Sequence, residues 1–163
     1  MINIIKTPNA DSRAAGMNIS ISDLSSATEY HICHVQQGLL FLEELLMEAA
    51  EKHDHTKLST MEEFHKTITT CTPGIEVKQS PWYKMHITEE RHHLLAKTPS
   101  DVNLIDVLEY ITDCVMAGMS RTGKVLELKV PDDILRSAFN NTVSLLKANV
   151  NVVETEEDAS DEE

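Results

Sequence analysis

The chain has 163 residues, a length typical of one domain, and a formal net charge of −13. A chain of this length buries roughly two-thirds of the surface that its unfolded form exposes, so it can build a core without disulfides. Its 27 acidic residues outnumber 14 basic ones, which argues against a nucleic-acid backbone as partner because such binding depends on lysine and arginine. The sequence shows neither a membrane-spanning apolar run nor a signal-peptide pattern, so a soluble, cytoplasmic protein is expected.

Cysteines and the acidic end of the chain define no site by themselves. Cys33, Cys71 and Cys114 are odd in number and fit neither a disulfide framework nor a zinc ribbon, so reduced thiols are expected. Residues 154–163 carry seven acidic side chains and no basic one. This composition is typical of a disordered, solubilising tail, although it could also serve as a docking peptide for a basic partner.

The first predicted element is a long helix. Residues 1–20 show no sustained period and are predicted to form an arm. The capping box Ser26-x-x-Glu29 then predicts a helix that runs to about Lys52. Its apolar residues recur every three or four positions, as in an amphipathic helix: Val35, Leu39, Leu42, Leu46 and Ala49.

Two shorter helices are predicted next. The second helix follows Ser59 or Thr60, each of which begins a capping-box pattern, and Thr72-Pro73-Gly74 stops it. After a loop, Ser80-Pro81 supplies an N-cap and a proline at the first helical position. The third helix is predicted to extend from Trp82 to Ala96.

Two more helices complete the prediction. Asn103 caps the fourth helix, which has Gly118 near its end and Gly123 beyond it. The fifth runs from Pro131 to about Ala148. No strand pair is predicted, although Val125–Val130 could form a short extended piece.

The predicted fold is therefore all-α, a compact bundle of about five helices. Its organisation is an N-terminal arm over residues 1–20, a helical domain over residues 21–150, and a disordered acidic tail over residues 151–163.

The eight histidines are clustered. Two lie on the first helix, His31 and His34, and His53 and His55 follow it. Three more share the predicted third helix: His86, His92 and His93. With about 3.6 residues per turn, His86, Glu90 and His93 would line one face of that helix while His92 would point away from His86.

The predicted fourth helix carries an acidic stripe, because Asp106, Glu109 and Asp113 follow at i, i+3 and i+7. Asp106 falls in the first turn, where the helix dipole favours a carboxylate whatever its function. Asp113 lies in the middle of the helix between apolar neighbours, where a buried, unpaired carboxylate would be costly. Either this face is solvated or a cation meets it.

These nitrogen and oxygen donors suit a divalent metal ion, with Asp54 able to bridge two ions. We therefore expect one or two ions per chain, of Mn, Mg, Co, Zn or Fe. Water on such an ion has its pKa lowered toward neutrality and can attack a phosphorus atom. Lys57 or Arg91 could then neutralise charge on the phosphoryl oxygens.

The same residues resemble the HD-domain metal-dependent phosphohydrolases. His53-Asp54-His55-Thr56-Lys57 is similar to the His-Asp-x-Gly-Lys piece of that superfamily, with Thr56 where glycine is usual. The block from Leu45 to Ala117 looks more closely like a small, uncharacterised family frequent in bacteriophages. The resemblance implies His53, Asp54 and Asp113 as ligands of a first metal and His86 with His92 or His93 near a second. It also implies a host-cytoplasmic location if a phage encodes the chain.

The superfamily needs an earlier histidine at its first metal, and His31 is the natural candidate. His31 and His53 are 22 positions apart, or roughly 33 Å along one unbroken helix. Three alternatives remain open: the helix breaks near Gly38, the ligand comes from elsewhere, or a second subunit of a homo-oligomer supplies it.

The sequence thus predicts a phosphohydrolase that acts on a nucleotide or another small phosphate ester. The alternative is a non-catalytic protein of phage type that binds a metal structurally or contacts a host partner through its acidic surface.

Overall fold

The structure is a computed structural model that describes residues 1–6, 16–125 and 127–153. The described elements follow in chain order: β1 (Ile2–Ile5), α1 (Ile21–Lys52), α2 (His55–Ser59), α3 (Met61–Thr70), α4 (Ile75–Gln79), α5 (Pro81–Glu89), α6 (Leu104–Thr122), α7 (Asp132–Asn149) and β2 (Val150–Val153). The all-α prediction is confirmed, with a small two-stranded sheet added to the helices.

Helix α1 begins earlier than the sequence suggested. The hydroxyl of Ser20 accepts a hydrogen bond from the backbone N–H of Asp23 at 3.1 Å and donates one to the Asp23 carboxylate at 2.6 Å. Ser20 therefore caps the helix, and the predicted start at Ser26 is wrong. The helix runs without interruption through Gly38 to Lys52.

The predicted second helix is confirmed as α3, and the predicted loop before Ser80 contains the short helix α4. At the start of α5 the hydroxyl of Ser80 accepts from the backbone N–H of Tyr83 at 3.1 Å, with Pro81 in the first turn as predicted.

Helix α5 ends at Glu89, so the prediction that it continues to Ala96 is wrong. Glu90 is buried and extended, and its carboxylate accepts from the backbone N–H of Thr56 at 2.8 Å. The turn that follows places Leu94 in the core. These tertiary contacts outweigh the local helical preference of residues 90–96.

Helix α6 has the predicted boundaries. The side chain of Asn103 accepts from the backbone N–H of Ile105, and Asp106 accepts from the backbone N–H of Asn103 at 2.8 Å. Gly123 ends the helix in a left-handed conformation with φ of 70°. Helix α7 also agrees with its prediction. Residues 125 and 127–130 form no strand in the described part of this segment.

Strands β1 and β2 pair in parallel, with Ile2 opposite Val150. The expectation of no strand pair is therefore wrong. Each strand has four residues and the pair joins the two ends of the described chain, so no hairpin signal marks it. Residues 151–153, assigned to the tail, lie in β2, whereas residues 154–163 lie outside the described part.

The chain divides into two compact units. The first comprises Met1–Glu44 with Ser144–Glu163, and the second comprises Leu45–Val143. In the first unit His34 Nε2 accepts from the backbone N–H of Ile5 at 3.0 Å. The core of the second unit contains Leu94, Val102, Val107 and Ala138.

Among the described helices, none combines the length and the apolar character that crossing a bilayer requires.

Candidate metal centre

Four histidines and one aspartate converge within the second unit, from the end of α1, the start of α2, and the end of α5 with its following turn. They are His53, Asp54, His86, His92 and His93. Asp54 lies between α1 and α2 with φ of 54°, in the left-handed region that a residue with a side chain rarely occupies. This conformation lets the chain turn between the helices and places the Asp54 carboxylate among the imidazoles.

The converging atoms form two groups that share Asp54: His53 with His92, and His86 with His93. In each group the ligand atoms lie within 4.8 Å of one another. His53 Nε2 is 3.5 Å from Asp54 Oδ2, His86 Nε2 is 3.5 Å from Asp54 Oδ1, and His92 Nε2 is 3.8 Å from the same Oδ1. Ligands bonded at about 2.1 Å to a tetrahedral ion lie roughly 3.4 Å apart, so these separations fit a metal ion.

Three buried atoms at the centre have no hydrogen-bond partner within the described residues: Asp54 Oδ1 and both ring nitrogens of His92. Burial of such polar atoms without a partner is costly and uncommon in folded proteins. Because Asp54 Oδ1 is a carboxylate oxygen and His92 Nε2 an imidazole nitrogen 3.8 Å from it, a divalent cation between them would satisfy both. The residues present therefore fit the metal that the sequence predicted.

Glu109 of α6 orients two of the histidines. Its Oε1 lies 2.9 Å from Nδ1 of His53, which as the only possible donor of that pair carries the proton. The other nitrogen of His53 then faces Asp54 and Asp113, with Asp113 Oδ1 3.8 Å away. The same Glu109 oxygen lies 2.9 Å from Nδ1 of His92, an ion-pair distance without the alignment of a hydrogen bond.

A buried relay of Glu90, Thr56 and His86 fixes the third imidazole. The Thr56 hydroxyl lies 2.5 Å from Glu90 Oε1 and 2.6 Å from His86 Nδ1. A carboxylate can only accept, so the hydroxyl donates to Glu90 and accepts from the Nδ1–H of His86. Nε2 of His86 is left with its lone pair, 2.8 Å from Nε2 of His93 and 3.5 Å from Asp54 Oδ1. Buried partners that set a tautomer in this way are typical of histidines that bind metals.

Burial and neighbouring charges set the protonation states. Burial lowers the pKa of His86, and burial together with nearby His92 and His86 lowers the pKa of His93 to about 4. Both rings are therefore neutral near pH 7, the form that binds metals. Burial also acts to lower the pKa of His92, but Glu109 and Asp54 outweigh it and raise that pKa.

The carboxylates remain ionised for related reasons. Burial disfavours the charged form of Glu109, but His92 and His53 outweigh burial and lower its pKa. Burial likewise opposes ionisation of Asp54, and Lys57, whose ammonium group donates to Asp54 Oδ2, lowers the pKa of that carboxyl. Lys57 thus lies beside Asp54 at the centre.

Arg91 is held by other carboxylates. Its guanidinium donates to both oxygens of Asp106 at 2.7 and 2.9 Å and to Asp101. The predicted acidic stripe is therefore divided: Asp106 pairs with Arg91, while Glu109 and Asp113 face the histidines.

His31 belongs to the first unit and to neither ligand group among the described residues. It is exposed on α1, and that helix is unbroken at Gly38, so the break that could have folded His31 back toward His53 is absent. His92 was predicted to point away from His86 because both were expected on one helix, and that helix is shorter than predicted. Because α5 ends at Glu89, His92 and His93 lie on a turn that directs both toward Asp54.

Three residues of the centre were not predicted as site residues: Thr56, Glu90 and Glu109. Glu109 had a usable signal, since it falls between Asp106 and Asp113 on one helical stripe. Glu90 shared a predicted face with His86. The role of Thr56 depends on a partner 34 positions away in the chain, which no local pattern shows.

Comparison of the chain with protein-family models, with curated proteins and with solved structures gives no match.

Proposed function

We propose that the chain is a metal-dependent phosphohydrolase acting on a nucleotide or another small phosphate ester, with its reaction centre at Asp54. The observation that carries the proposal is the sharing of the half-buried Asp54 carboxylate by two groups of imidazoles, with its buried Oδ1 lacking any hydrogen-bond partner among the described residues. Paired sites joined by one carboxylate suit hydrolysis of phosphate esters. The resemblance of His53-Asp54-His55-Thr56-Lys57 to the HD-domain enzymes supports the same class.

The residues divide into two ligand sets. His53, Asp54 and His92, with Asp113 close by, would hold one divalent ion, and Asp54, His86 and His93 would hold the other. When bound, such ions supply Lewis acidity and lower the pKa of a coordinated water.

The chain's other residues prepare this site. Glu109 and the Glu90–Thr56 relay hold the Nδ1 protons of His53 and His86, which leaves their Nε2 atoms, each 3.5 Å from an Asp54 oxygen, with a lone pair. Lys57 is one-third exposed at the edge of the centre, where its ammonium can bind a phosphoryl oxygen of a substrate. Arg91 is committed to Asp101 and Asp106, so we assign it the role of fixing the turn after α5 against α6.

The test is hydrolysis by protein stripped with a chelator and reloaded with Mn²⁺, Mg²⁺, Co²⁺, Zn²⁺ or Fe²⁺, assayed on nucleotides and phosphomonoesters. We expect metal-dependent release of phosphate that Asp54→Asn abolishes and that the exposed control Asp132→Asn preserves. Metal binding without turnover of any ester would instead favour the non-catalytic alternative. Absence of both would contradict the metal centre itself.

A further inference from the structure

A cavity of about 400 Å³ adjoins the candidate centre within the second unit. Its lining includes His53, Glu109 and Asp113, which belong to the centre or orient it. The cavity therefore borders the centre at His53, beside Asp54, and its size lies toward the lower end of the range for small-molecule sites.

The rest of the cavity is aliphatic. Leu46, Ala49 and Ala50 of α1 face it from one side and Met116 of α6 from the other. Thr112 adds little polarity, because its hydroxyl donates to the backbone carbonyl of Leu108 at 2.8 Å. Such a surface favours an apolar group that leaves water.

Charge at the cavity disfavours a substrate with several phosphates. Within the described residues no lysine or arginine lines it, whereas Glu109 and Asp113 do. Neither basic residue predicted for the site lines the cavity: Lys57 pairs with Asp54 at the centre, and Arg91 pairs with Asp101 and Asp106. Additional phosphates placed in the cavity would meet carboxylates and no cation.

We propose that this cavity binds the organic portion of the substrate, and that the substrate is a monophosphate ester with a compact apolar or aromatic group. A nucleoside monophosphate with its base in the cavity belongs to this class, while nucleoside triphosphates and inorganic polyphosphates do not. The inference rests on the proposed function, because it assumes that the phosphoryl group lies at Asp54.

Binding of phosphonates tests it without requiring turnover. Calorimetry on the Mn²⁺-loaded protein compares phenylphosphonate, methylphosphonate and methylenediphosphonate. We expect phenylphosphonate to bind roughly tenfold or more tightly than methylphosphonate, since each buried methylene contributes about fourfold. Methylenediphosphonate should show no such gain.

Matched variants show whether the preference for phenylphosphonate arises in the cavity. Ala50→Trp fills the cavity and should bring the two monophosphonates to nearly equal affinity without changing Mn²⁺ affinity. The control Ala148→Trp places the same side chain at an exposed position of α7 outside the cavity and should keep the preference. If Ala50→Trp does not fold, Met116→Lys replaces it, because this exposed position should then favour methylenediphosphonate.

Equal affinities in the wild-type protein, or a preference that survives Ala50→Trp, would overturn the inference. Dissociation of a protein dimer by phenylphosphonate would also overturn it, because the cavity would then be occupied by a second copy of the chain. Hydrolysis without the phenyl preference would defeat this inference alone. A phenyl preference without hydrolysis of any ester would defeat the proposed function and leave the binding site standing.

Discussion

At the scale of single residues, the hydroxyl of Thr56 decides which nitrogen of His86 faces Asp54. The hydroxyl is buried between the Glu90 carboxylate and His86 Nδ1, so its removal leaves the Nδ1–H of His86 without a partner and Glu90 with the backbone N–H of Thr56. A polar group left without a partner costs about 1–3 kcal/mol when buried. Thr56 is therefore expected to matter both for stability and for the metal.

We expect Thr56→Val to lower the free energy of unfolding of the metal-free protein by about 2–3 kcal/mol and to weaken Mn²⁺ binding by roughly 10-fold to 100-fold. Thr56→Ser keeps the hydroxyl and should recover most of both losses. Urea unfolding and calorimetry provide the two measurements. Equal behaviour of the valine and serine variants would show that the hydroxyl does not orient His86.

Glu109 offers a second test, because one carboxylate oxygen contacts both His53 and His92. Glu109→Gln keeps the shape but removes the charge that holds these imidazoles. We expect Mn²⁺ affinity to fall roughly 10-fold to 100-fold, while Glu89→Gln at the exposed end of α5 should leave it unchanged. Unchanged affinity in the Glu109 variant would remove its orienting role.

The residues of the centre differ in how readily the sequence predicts them. Histidine and aspartate are chemically suited to metals, so His53, Asp54, His86, His92, His93 and Asp113 were predicted from residue type and spacing. Thr56 and Glu90 are ordinary polar residues whose role exists only through their mutual contact in the fold. His31 was predicted from a superfamily pattern, and the unbroken α1 does not bring it to His53.

At the scale of secondary-structure elements, the continuity of α1 determines which residues reach the centre. Gly38 lies in the interior of α1, and a Cβ added there would meet no atom within 4 Å. Gly123 is different, since it ends α6 with φ of 70°. Replacement by alanine is therefore expected to change the stability of the protein in opposite directions at the two glycines.

Gly38→Ala should stabilise the protein by up to about 1 kcal/mol, because alanine favours the helix interior. Gly123→Ala should destabilise it by about 1 kcal/mol, because a left-handed conformation strains a residue with a Cβ. Urea unfolding at equilibrium measures both. Destabilisation by Gly38→Ala would mean that α1 is broken at Gly38, and would reopen the possibility that His31 is a ligand.

Two helix starts with a local side-chain cap were predicted correctly, the start of α1 was assigned to Ser26 instead of the local cap Ser20, and the end of α5 was missed because a distant contact determines it. Asn103 and Ser80 cap their own helices, and both positions agree with prediction. The end of α5 depends on Glu90 reaching Thr56 in another element. The β1–β2 pair joins strands almost the whole chain apart, and each is too short for an alternating pattern to mark it.

At the scale of the whole molecule, the neutral buried histidines link stability to pH. The pKa of His93 is lowered to about 4 in the folded protein from an ordinary value of 6.5. Between these values the unfolded chain binds a proton at His93 that the folded chain does not, so stability falls as pH decreases through this window. The loss from His93 alone is about 3 kcal/mol at most.

We expect metal-free protein to lose stability from pH 6.5 to pH 4, and His93→Gln to flatten that slope. His92 acts oppositely, because its raised pKa contributes stability that is present below pH 6.5 and lost as pH rises. His65→Gln changes an exposed histidine of α3 and should keep the wild-type slope. Thermal or urea unfolding across pH measures this, and equal slopes for the His93 and His65 variants would contradict the linkage.

Mn²⁺ calorimetry on the chelator-stripped protein shows whether Asp54 joins two metal sites. We predict two ions per wild-type chain, loss of both in Asp54→Asn, and weakening of one alone in Asp113→Asn, because Asp113 lies near His53 and not near the His86 group. A wild-type chain that binds no ion, or an Asp54→Asn variant that binds as many ions with equal affinity, would contradict the account.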